Sequence, residues 1–404
     1  MDAINDLAPV AAAAVPMPIF VLMYEQKDIT NDVTPYVISV SYTDYLDGQS
    51  DELNVELEDT DDRWRNAWYP GKGDTLSLKI GYEAEPLLPC GSFEIDEIEF
   101  ADPPSTVTIR GLATGVKKSV RTRQPHAYEQ TTLAAIAERI ARRNHLTLVG
   151  TIRDIRLDRV TQFQERDVAF LARLAREYGY VFKITGTKLV FTEHAALREA
   201  DPVIRLGPSD LTSIRLRDKI KDIYAQAKGA YHDPKTKKAV SNKLVANDDK
   251  DGKVAGTSTK PADKPRSGQE ASGDTLRLSA RSGSKAALET RTQAALDRAN
   301  LQQTSGSLTT AGNTRLVAGN TFAFAEYGRL SGTYLIESAR HQLNRGGGYT
   351  TEIEIKRASQ AVKSHKGGAA KKSKNEAPAV YGDIGGKVDA AGTTSVKRNP
   401  INNP

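Results

Sequence analysis

Apolar residues that recur at every second position constrain the fold of this chain more than any other feature. Residues 53–57 and 76–80 alternate between apolar and polar side chains, which places each apolar set on one face of a β-strand. Residues 93–100 repeat the pattern, but its phase slips at residues 96–97. Such a slip predicts a β-bulge.

Residues that favour turns separate these strand patterns, at residues 47–48, 70–74 and 102–104. Many short strands at such spacing predict a barrel or a sandwich. We therefore expect a first β domain at residues 19–115, preceded by an N-terminal arm at residues 1–18. The glycines of residues 70–74 lack the spacing of a phosphate-binding loop, and we interpret the segment as a tight hairpin turn.

Helical spacing replaces the strand pattern after residue 116. One amphipathic helix is predicted where Thr131 or Thr132 can act as the cap and these apolar residues follow: Leu133, Ile136, Ala137, Ile140 and Ala141. A second helix begins near Asp167, which suits this position by capping and by charge, and ends at Gly179. A hairpin around Gly186 follows, so residues 116–201 are predicted to form a small α+β module.

Strand patterns return at residues 203–231, and residues 202–358 are predicted to form a second β domain. Inside it, polar residues at about 232–274 indicate a flexible insertion, and an alanine-rich helix is expected at about 284–302 with Ser282 or Ser284 as its cap. Strands are then expected at residues 307–310, 315–317, 321–325, 334–343 and 349–356. Residues 359–404 form a tail with few large apolar residues, which cannot bury enough surface to order itself alone.

Composition argues against a disulfide-stabilised protein, a cysteine zinc protein and a membrane-spanning protein. The net charge of +5 is the small difference between 56 basic and 51 acidic residues. Cys90 is the single cysteine, so the chain can form neither an internal disulfide framework nor a cysteine zinc cluster. Prolines interrupt the apolar start, and we predict no signal peptide and no membrane span. The tail carries five lysines without an intervening acid: Lys363, Lys366, Lys371, Lys372 and Lys374.

A search for catalytic patterns finds no zinc-binding pair of histidines, no nucleophile elbow and no phosphate loop. Ser282 and Lys285 match the spacing of some acyl-transfer enzymes, but the companion motifs are missing. Six histidines are scattered along the sequence, with no two within a helical turn. Acid pairs at residues 61–62 and at Glu97 and Glu99 are more typical of a solvated surface than of a glycosidase cleft. We therefore predict no catalytic, cofactor-binding or metal-binding residues.

Residues 162–184 resemble the signature of the phage late-control protein D family, which comprises the baseplate hubs of contractile tails and tail-like bacteriocins. The family is related to the amino-terminal hub part of the valine-glycine-repeat spike of type six secretion. Each matching residue also has a purely structural interpretation, as a helix start, an apolar stripe or a terminating glycine. The matching residues are Gln164, Glu165, Asp167, Phe170, Leu171, Leu174, Glu177, Tyr178 and Gly179.

Other segments are similar to the same family and occur in the same order. Residues 91–110 look like its first β domain, and the closing strands match around Gly332, Tyr334 and His341. The resemblance covers residues 19–357. The sequence departs from the family at residues 127–130, where members often have a Trp-His pair, and the resemblance does not extend to the tail after residue 359.

The resemblance implies an α+β, mainly β, fold in which two tube-like β-barrel domains bracket the module. It also implies a homotrimer whose six β domains form a ring, with the tail tube or tube initiator on one side and a separate central spike protein on the other. Other baseplate proteins and the tape measure protein are further candidate partners. The expected location is the baseplate of a virion or tail-like particle assembled in the host cytoplasm.

Two alternatives to a structural hub remain open from the sequence. Some tail-tip proteins cut peptidoglycan, so a cell-wall-degrading enzyme is one alternative. The basic tail suggests a DNA-binding regulator as the other, although no recognition motif is present and specific nucleic-acid binding is not predicted.

Overall fold

A computed structural model describes residues 16–113, 123–233, 237–245, 274–279 and 284–360. The predicted N-terminal arm and C-terminal tail lie almost wholly outside this part of the chain. The described residues form a mainly β structure with four sheets, and thirteen strands belong to one of these sheets. The predicted α+β, mainly β, fold class is thereby confirmed. The pairings in the large sheet form an open path and do not close into a ring.

The first β unit consists of seven strands and a short helix. Its order in the sheet is β3-β4-β7-β6-β5-β1-β2, with every neighbouring pair antiparallel. The elements are β1 (Pro18–Tyr24), β2 (Lys27–Asp28), α1 (Thr30–Val33), β3 (Val37–Tyr45), β4 (Glu52–Glu58), β5 (Thr75–Tyr82), β6 (Leu88–Ala101) and β7 (Thr106–Ala113).

Period-two alternation in the sequence corresponds to burial in this unit. Leu53, Val55 and Leu57 are at most 1% exposed, whereas the residues between them are half-buried. The predicted bulge is confirmed, since the register of β6 against β7 shifts between Ile95 and Glu97. The tight hairpin turn predicted at residues 70–74 is wrong. The segment is a turn, but β4 and β5 on either side pair with other strands.

The module contains three helices and two small sheets. The two predicted helices are confirmed, and the side-chain oxygen of Thr132 caps the first by accepting from Ala135 N at 3.1 Å. Gly179 ends the second in a left-handed conformation, with φ of 80°. The elements are β8 (Arg123–Thr132), α2 (Leu133–Arg143), β9 (Thr147–Val149), β10 (Arg156–Arg166), α3 (Asp167–Tyr178), β11 (Tyr180–Thr185), β12 (Lys188–Glu193) and α4 (His194–Glu199). The hairpin predicted around Gly186 is the β11–β12 pair.

The second β unit extends the large sheet in the order β14-β18-β21-β20, and a short parallel pair of strands flanks β20. The strand predicted at residues 315–317 is wrong, because Leu316 N donates to Asn313 O in a turn. The strands are β13 (Arg205–Leu206), β14 (Leu211–Asp218), β18 (Thr304–Ala311), β19 (Thr321–Phe324), β20 (Gly332–Asn344) and β21 (Gly348–Gln360).

A separate three-stranded sheet interrupts the second unit. Its strands are β15 (Gln226–Asp233), β16 (Lys238–Val245) and β17 (Thr275–Ser279). The prediction of a flexible insertion at about 232–274 is therefore wrong for β16, whose apolar and β-branched residues pair with β15 along its full length. The remainder of that insertion, at residues 246–273, lies outside the described residues.

The predicted alanine-rich helix is confirmed as α5 (Lys285–Asn300), with Ser284 as its cap. This helix packs on α3 and on the β15–β16 pair, although its sequence position had suggested a place in the second β domain. Arg291 makes an ion pair with Glu177 of α3 at 3.1 Å. The helix thereby joins the small sheet to the module.

The two β units share one sheet because β20 of the second unit pairs with β3 of the first. The pairing is antiparallel and runs from Ser338 opposite Tyr45 to Asn344 opposite Ser39. We call this contact the β20–β3 seam. Each unit and the module also has its own apolar core.

Candidate functional site

Three charged side chains meet where the two β units and the module contact one another. Lys183 projects from β11 toward Asp44 of β3 and toward Asp51, which directly precedes β4. The Nζ atom of Lys183 lies 2.8 Å from Asp51 Oδ1 and also donates to Asp44 Oδ1. Each of the three residues is at most 7% exposed. We call Lys183, Asp44 and Asp51 the buried charge cluster.

The second β unit contributes a backbone donor to the same cluster. Ala318 N donates to Asp44 Oδ2 at 2.9 Å, and Tyr45 N donates to Asp51 Oδ1 at 3.0 Å. Apolar residues from all three parts of the chain pack around it, namely Leu46, Val181, Leu197, Ala318, Leu335 and Ala358. The cluster therefore binds the module and both β units together.

Burial and attraction between opposite charges act against each other in this cluster. It raises the pKa of Asp51 to about 7, although the attraction of Lys183 acts in the opposite direction. For Lys183, burial lowers the pKa, but the attraction of Asp44 and Asp51 outweighs burial and the pKa stands above its ordinary value. Because two carboxyl groups face one ammonium group, Asp51 is the group that gains a proton as the pH falls through neutrality.

His341, one of the residues of the family resemblance, lies fully buried beside the cluster. Its Nε2 lies 3.1 Å from the carbonyl oxygen of Leu316, which can only accept, so Nε2 carries the proton. Nδ1 then accepts from the hydroxyl of Tyr349 at 2.7 Å. Burial lowers the pKa of His341 to about 4, so the imidazole is neutral at neutral pH. These contacts give His341 a packing role.

Asp167 of the family motif is 1% exposed, and its carboxylate receives side-chain donors from α2 and β10. Arg143 Nε, Asn144 Nδ2 and Gln162 Nε2 donate to it at 3.1, 2.9 and 2.8 Å. The predicted helix start near Asp167 and its acidic first turn are confirmed, but the capping role is wrong, because Arg166 occupies the cap position and Asp167 is the first helical residue. It instead fixes α3 against α2 and β10.

Acidic residues of the motif form an ion-pair chain along α3. Arg173 lies 3.2 Å from Glu165 and 3.3 Å from Glu177, and Glu177 continues to Arg291 of α5. Gln164 is exposed and adopts a φ of 48° at an irregularity between β10 and β8. Its contribution to the fold is the backbone irregularity at this point.

Apolar residues of the resemblance lie in the cores. Phe170, Leu171, Leu174 and Tyr178 are at most 4% exposed, and they share one core in the module. Tyr334 is fully buried in the second β unit, two residues after Gly332, and its hydroxyl donates to Leu330 O at 2.6 Å. The motif residues are therefore spread over the module and the second β unit and do not converge on a single cleft.

This arrangement holds parts of the chain together, and the three charged groups of the cluster are buried. The cluster residues are turned toward one another, so a substrate has no access to their carboxylates. Among the described residues, no three histidine, cysteine or acidic side chains are grouped as metal ligands would be. Within the same part of the chain, no helix has the length and apolar character that crossing a membrane requires.

Sequence reasoning did not identify the buried charge cluster. The one local signal is Lys183, which follows three buried residues of β11, Tyr180, Val181 and Phe182, in an otherwise apolar run. A lysine in such a run requires a partner when it is buried. The two aspartates are more than 130 positions away in the sequence, and no spacing rule connects them to Lys183.

Comparisons with known proteins agree with this fold. The solved structure of the 43 kDa tail protein of prophage MuSo2 from Shewanella oneidensis superposes with a TM-score of 0.61 at 15% identity, covering 84% of this chain and 98% of that one. A tail protein from Neisseria meningitidis MC58 gives 0.60 at 12% identity, covering 84% and 97%. At these identities the likeness concerns the fold.

Sequence relatives lead to the family. Probable baseplate hub proteins of Escherichia phage 186 and Escherichia phage P2 are each 32% identical over 176 residues, which is 43% of this chain. These alignments span 44% and 45% of the two relatives, less than half of their length. The family model described as phage tail baseplate hub (GPD) matches residues 108–347, more than half of the chain. The chain therefore belongs to the phage tail baseplate hub family.

Proposed function

We propose that this hub protein forms a homotrimeric ring with six β units, which connects the tail tube to a trimeric central spike. The observation that supports the ring is the β20–β3 seam, which joins two β units edge to edge in a single sheet. Three chains with two units each would supply six units in rotational order. The tube-like domains are proposed at residues 19–115 and 202–358, with the module at 116–201 between them.

Free strand edges support contacts between neighbouring chains. Among the described strands, none pairs with the outer edge of β14 at one end of the large sheet. At the other end, β2 covers only Met23 and Tyr24 of β1, and Thr30 Oγ1 accepts from Leu22 N. The first part of β1 is therefore available for pairing.

Strand direction is consistent with pairing between these two edges. Neighbouring strands alternate in direction along the whole path from β14 to β1. A β14 strand placed beside the β1 strand of another chain would continue the alternation as an antiparallel pair. The contact is head to tail, so it closes only if rotation returns the last chain to the first.

The role proposed for the ring is structural and not enzymatic. The buried charge cluster and the Asp167 contacts hold parts of one chain together. Of the four acids considered for hydrolysis, Asp61, Asp62 and Glu97 lie in ion pairs with arginines, such as Glu97 with Arg110 at 3.0 Å. The proposed partners are the spike, the tube or its initiator and other baseplate proteins. The proposed place of assembly is the host cytoplasm.

Light scattering after size exclusion tests the ring. We expect a particle with three times the mass of one chain, or a monomer that becomes this trimer when purified spike protein is added. A monomer whose mass does not change when spike protein is added, or a symmetric dimer, would contradict the ring. Peptidoglycan release by the purified protein, lost on substitution of one carboxylate, would contradict the structural role.

An engineered disulfide tests which strand edges meet. The double variant Ser213→Cys with Val21→Cys places one thiol on β14 and one on β1. Mild oxidation should then give covalent trimers on a denaturing gel, and neither single variant should exceed a dimer. Longer ladders without a limiting trimer would mean a head-to-tail contact that does not close.

A further inference from the structure

An apolar pocket opens at the end of the first β unit that lies away from the module. Its volume is about 310 Å³. Buried core residues form its floor, and its walls are α1 and the loop from Trp64 to Pro70. The floor consists of Leu22, Val55, Leu57, Leu76, Ile95 and Ile109. Concave, mostly apolar sites of this kind are where ligands commonly bind.

Trp64 carries an unsatisfied hydrogen-bond donor in this pocket. The residue is 5% exposed and lines the pocket, and its Nε1 has no hydrogen-bond partner among the described residues. Buried indole N–H groups usually have an acceptor. Because this nitrogen is inaccessible to solvent, an occupant would contact the Trp64 ring and the apolar floor with an apolar side chain.

Exposed aromatic side chains surround the opening. Trp68 and Tyr69 are 39% and 51% exposed, and Phe100, which stacks on Tyr69, is 37% exposed. These three are half of the six large hydrophobic residues that the described structure exposes. Clustered exposed aromatics of this kind indicate an interaction surface.

The same opening carries an excess of acidic residues, although Lys27 also lines the pocket and Arg110 and Arg345 pair with Glu97 and Glu58. Residues 58–74 contain five acidic and three basic residues, and residues 94–102 contain five acidic residues and no basic one. Two of the three bases are already engaged within this surface, Arg63 with Asp61 and Arg65 with Asp59. Asp62 and Asp102 are 63% and 62% exposed. An occupant with basic residues beside an apolar anchor would complement this surface.

Residues 361–404 have this composition. The lysine run of residues 363–374 precedes an apolar segment in which Val380, Tyr381 and Ile384 occur, and Tyr381 is the single Phe, Trp or Tyr of the tail. We propose that this tail binds back on its own chain, with Tyr381 in the pocket and the lysines on the acidic opening.

The length of the chain permits this contact. The tail leaves the described structure at Gln360, the end of β21, whose other end at Gly348 lies near the pocket side of the first unit. Arg345, just before β21, contacts Pro35 O, Val37 O and Glu58 there. The return path along β21 is about 40 Å, and the residues from Gln360 to Tyr381 span up to about 70 Å when extended.

Tryptophan fluorescence, excited selectively over the 15 tyrosines, reports on the pocket alone, because Trp64 and Trp68 are the two tryptophans of the chain. We compare acrylamide quenching in the full-length protein, in Tyr381→Ala and in the tail control Val396→Ala. Loss of the buried tyrosine ring lowers the equilibrium constant for docking of the tail about tenfold or more. The tryptophans of Tyr381→Ala should therefore be quenched more strongly than those of the other two proteins. Equal quenching of all three proteins would overturn the proposal.

A disulfide test gives a positive readout that does not depend on the proposed homotrimeric ring. Ala67 lines the pocket and is exposed, so Ala67→Cys combined with Tyr381→Cys should form a disulfide within one chain on oxidation. The matched control pairs Ala67→Cys with Val396→Cys and should form it at least several-fold more slowly. Equal rates, or a bond that links two chains, would overturn docking of the tail on its own chain. If Leu7→Ala increased the quenching of the tryptophans and Tyr381→Ala did not, residues 1–15 would be the occupant of the pocket. That result would also overturn the proposal.

Discussion

The ammonium group of Lys183 lies 2.8 Å from a carboxylate oxygen of Asp51 at a point where the module meets the first β unit. Both side chains are nearly inaccessible to solvent. The pair therefore connects two parts of the hub through charges that would be costly to leave without each other.

Replacing Lys183 by Met should strongly destabilise the protein. The variant leaves Asp44 and Asp51 buried without their ammonium partner, and such a loss typically costs about 3–5 kcal/mol. Urea unfolding followed by circular dichroism measures the change. The control Lys79→Met removes a lysine from the exposed face of β5 and should change the free energy of unfolding by less than about 0.5 kcal/mol. Similar losses in both variants would contradict the role of the cluster.

The pH dependence of stability should carry the signature of Asp51. Its pKa is about 7 in the folded protein and about 3.9 in an unfolded chain, so the folded state binds more protons between these values. Relative to Asp51→Asn, the wild type should lose on the order of 2–4 kcal/mol as the pH rises from 4 to 8. Thermal unfolding of both proteins across this range measures the difference. A difference that does not vary with pH would show that Asp51 titrates normally.

His341 should titrate with the opposite effect on stability. Its pKa of about 4 lies below the usual 6.5, so the unfolded chain takes up a proton first as the pH falls. Stability from this group is present above pH 6.5 and is lost as the pH falls toward 4. NMR of selectively labelled histidines should show that the imidazole whose signal is absent in His341→Phe remains neutral at pH 5.5, as should buried His194. A midpoint near 6.5 for that signal would contradict its burial.

Asp167→Ala should lower the stability of the module by about 2–4 kcal/mol, because the buried donors Asn144 and Gln162 and the half-buried Arg143 lose their acceptor. Asp154→Ala is a matched control, since its side chain is 68% exposed and its nearest cation lies 3.8 Å away. Hydrogen exchange should speed up in α2 and α3 of the first variant alone. Unchanged exchange there would mean that Asp167 does not hold the helices together.

Gly312→Ala should disturb the surroundings of His341 from a distance. A Cβ atom at Gly312 would lie 1.9 Å from a ring carbon of Tyr349, whose hydroxyl bonds to His341. The ring must move, so we expect a loss of about 1–3 kcal/mol and a shifted His341 resonance. A Cβ atom at Gly346 would meet nothing within 4 Å, so Gly346→Ala should leave the stability and the His341 resonance unchanged. Equal behaviour of the two variants would contradict the packing described.

Local patterns predicted the elements of this fold more successfully than its contacts. The five residues predicted for the apolar face of α2 are the five that are buried, because helical spacing alone selects one face. The bulge at Ile95 was likewise visible as a slip of phase. The pairing of β16 with β15 was missed, because its four apolar residues stand in a largely polar stretch and its order depends on the neighbouring strand.

Contacts between distant segments could not be read from the sequence. Asp167 looked like a helix cap because its position suits one, whereas its actual donors come from two other elements. The partners of Lys183 are equally distant. Family resemblance supplied the hub assignment, but the motif residues that carried it turned out to lie in cores and ion pairs, so they do not reveal a binding surface.

The β20–β3 seam determines how this hub responds to mechanical force. Hydrogen bonds between antiparallel strands lie across the strand axis, and this seam contains seven residue pairs. A pull along the strands loads all of these bonds in shear at the same time, whereas a pull that peels the strands apart breaks them one after another. The two β units should consequently be stiff against sliding and comparatively weak against splaying.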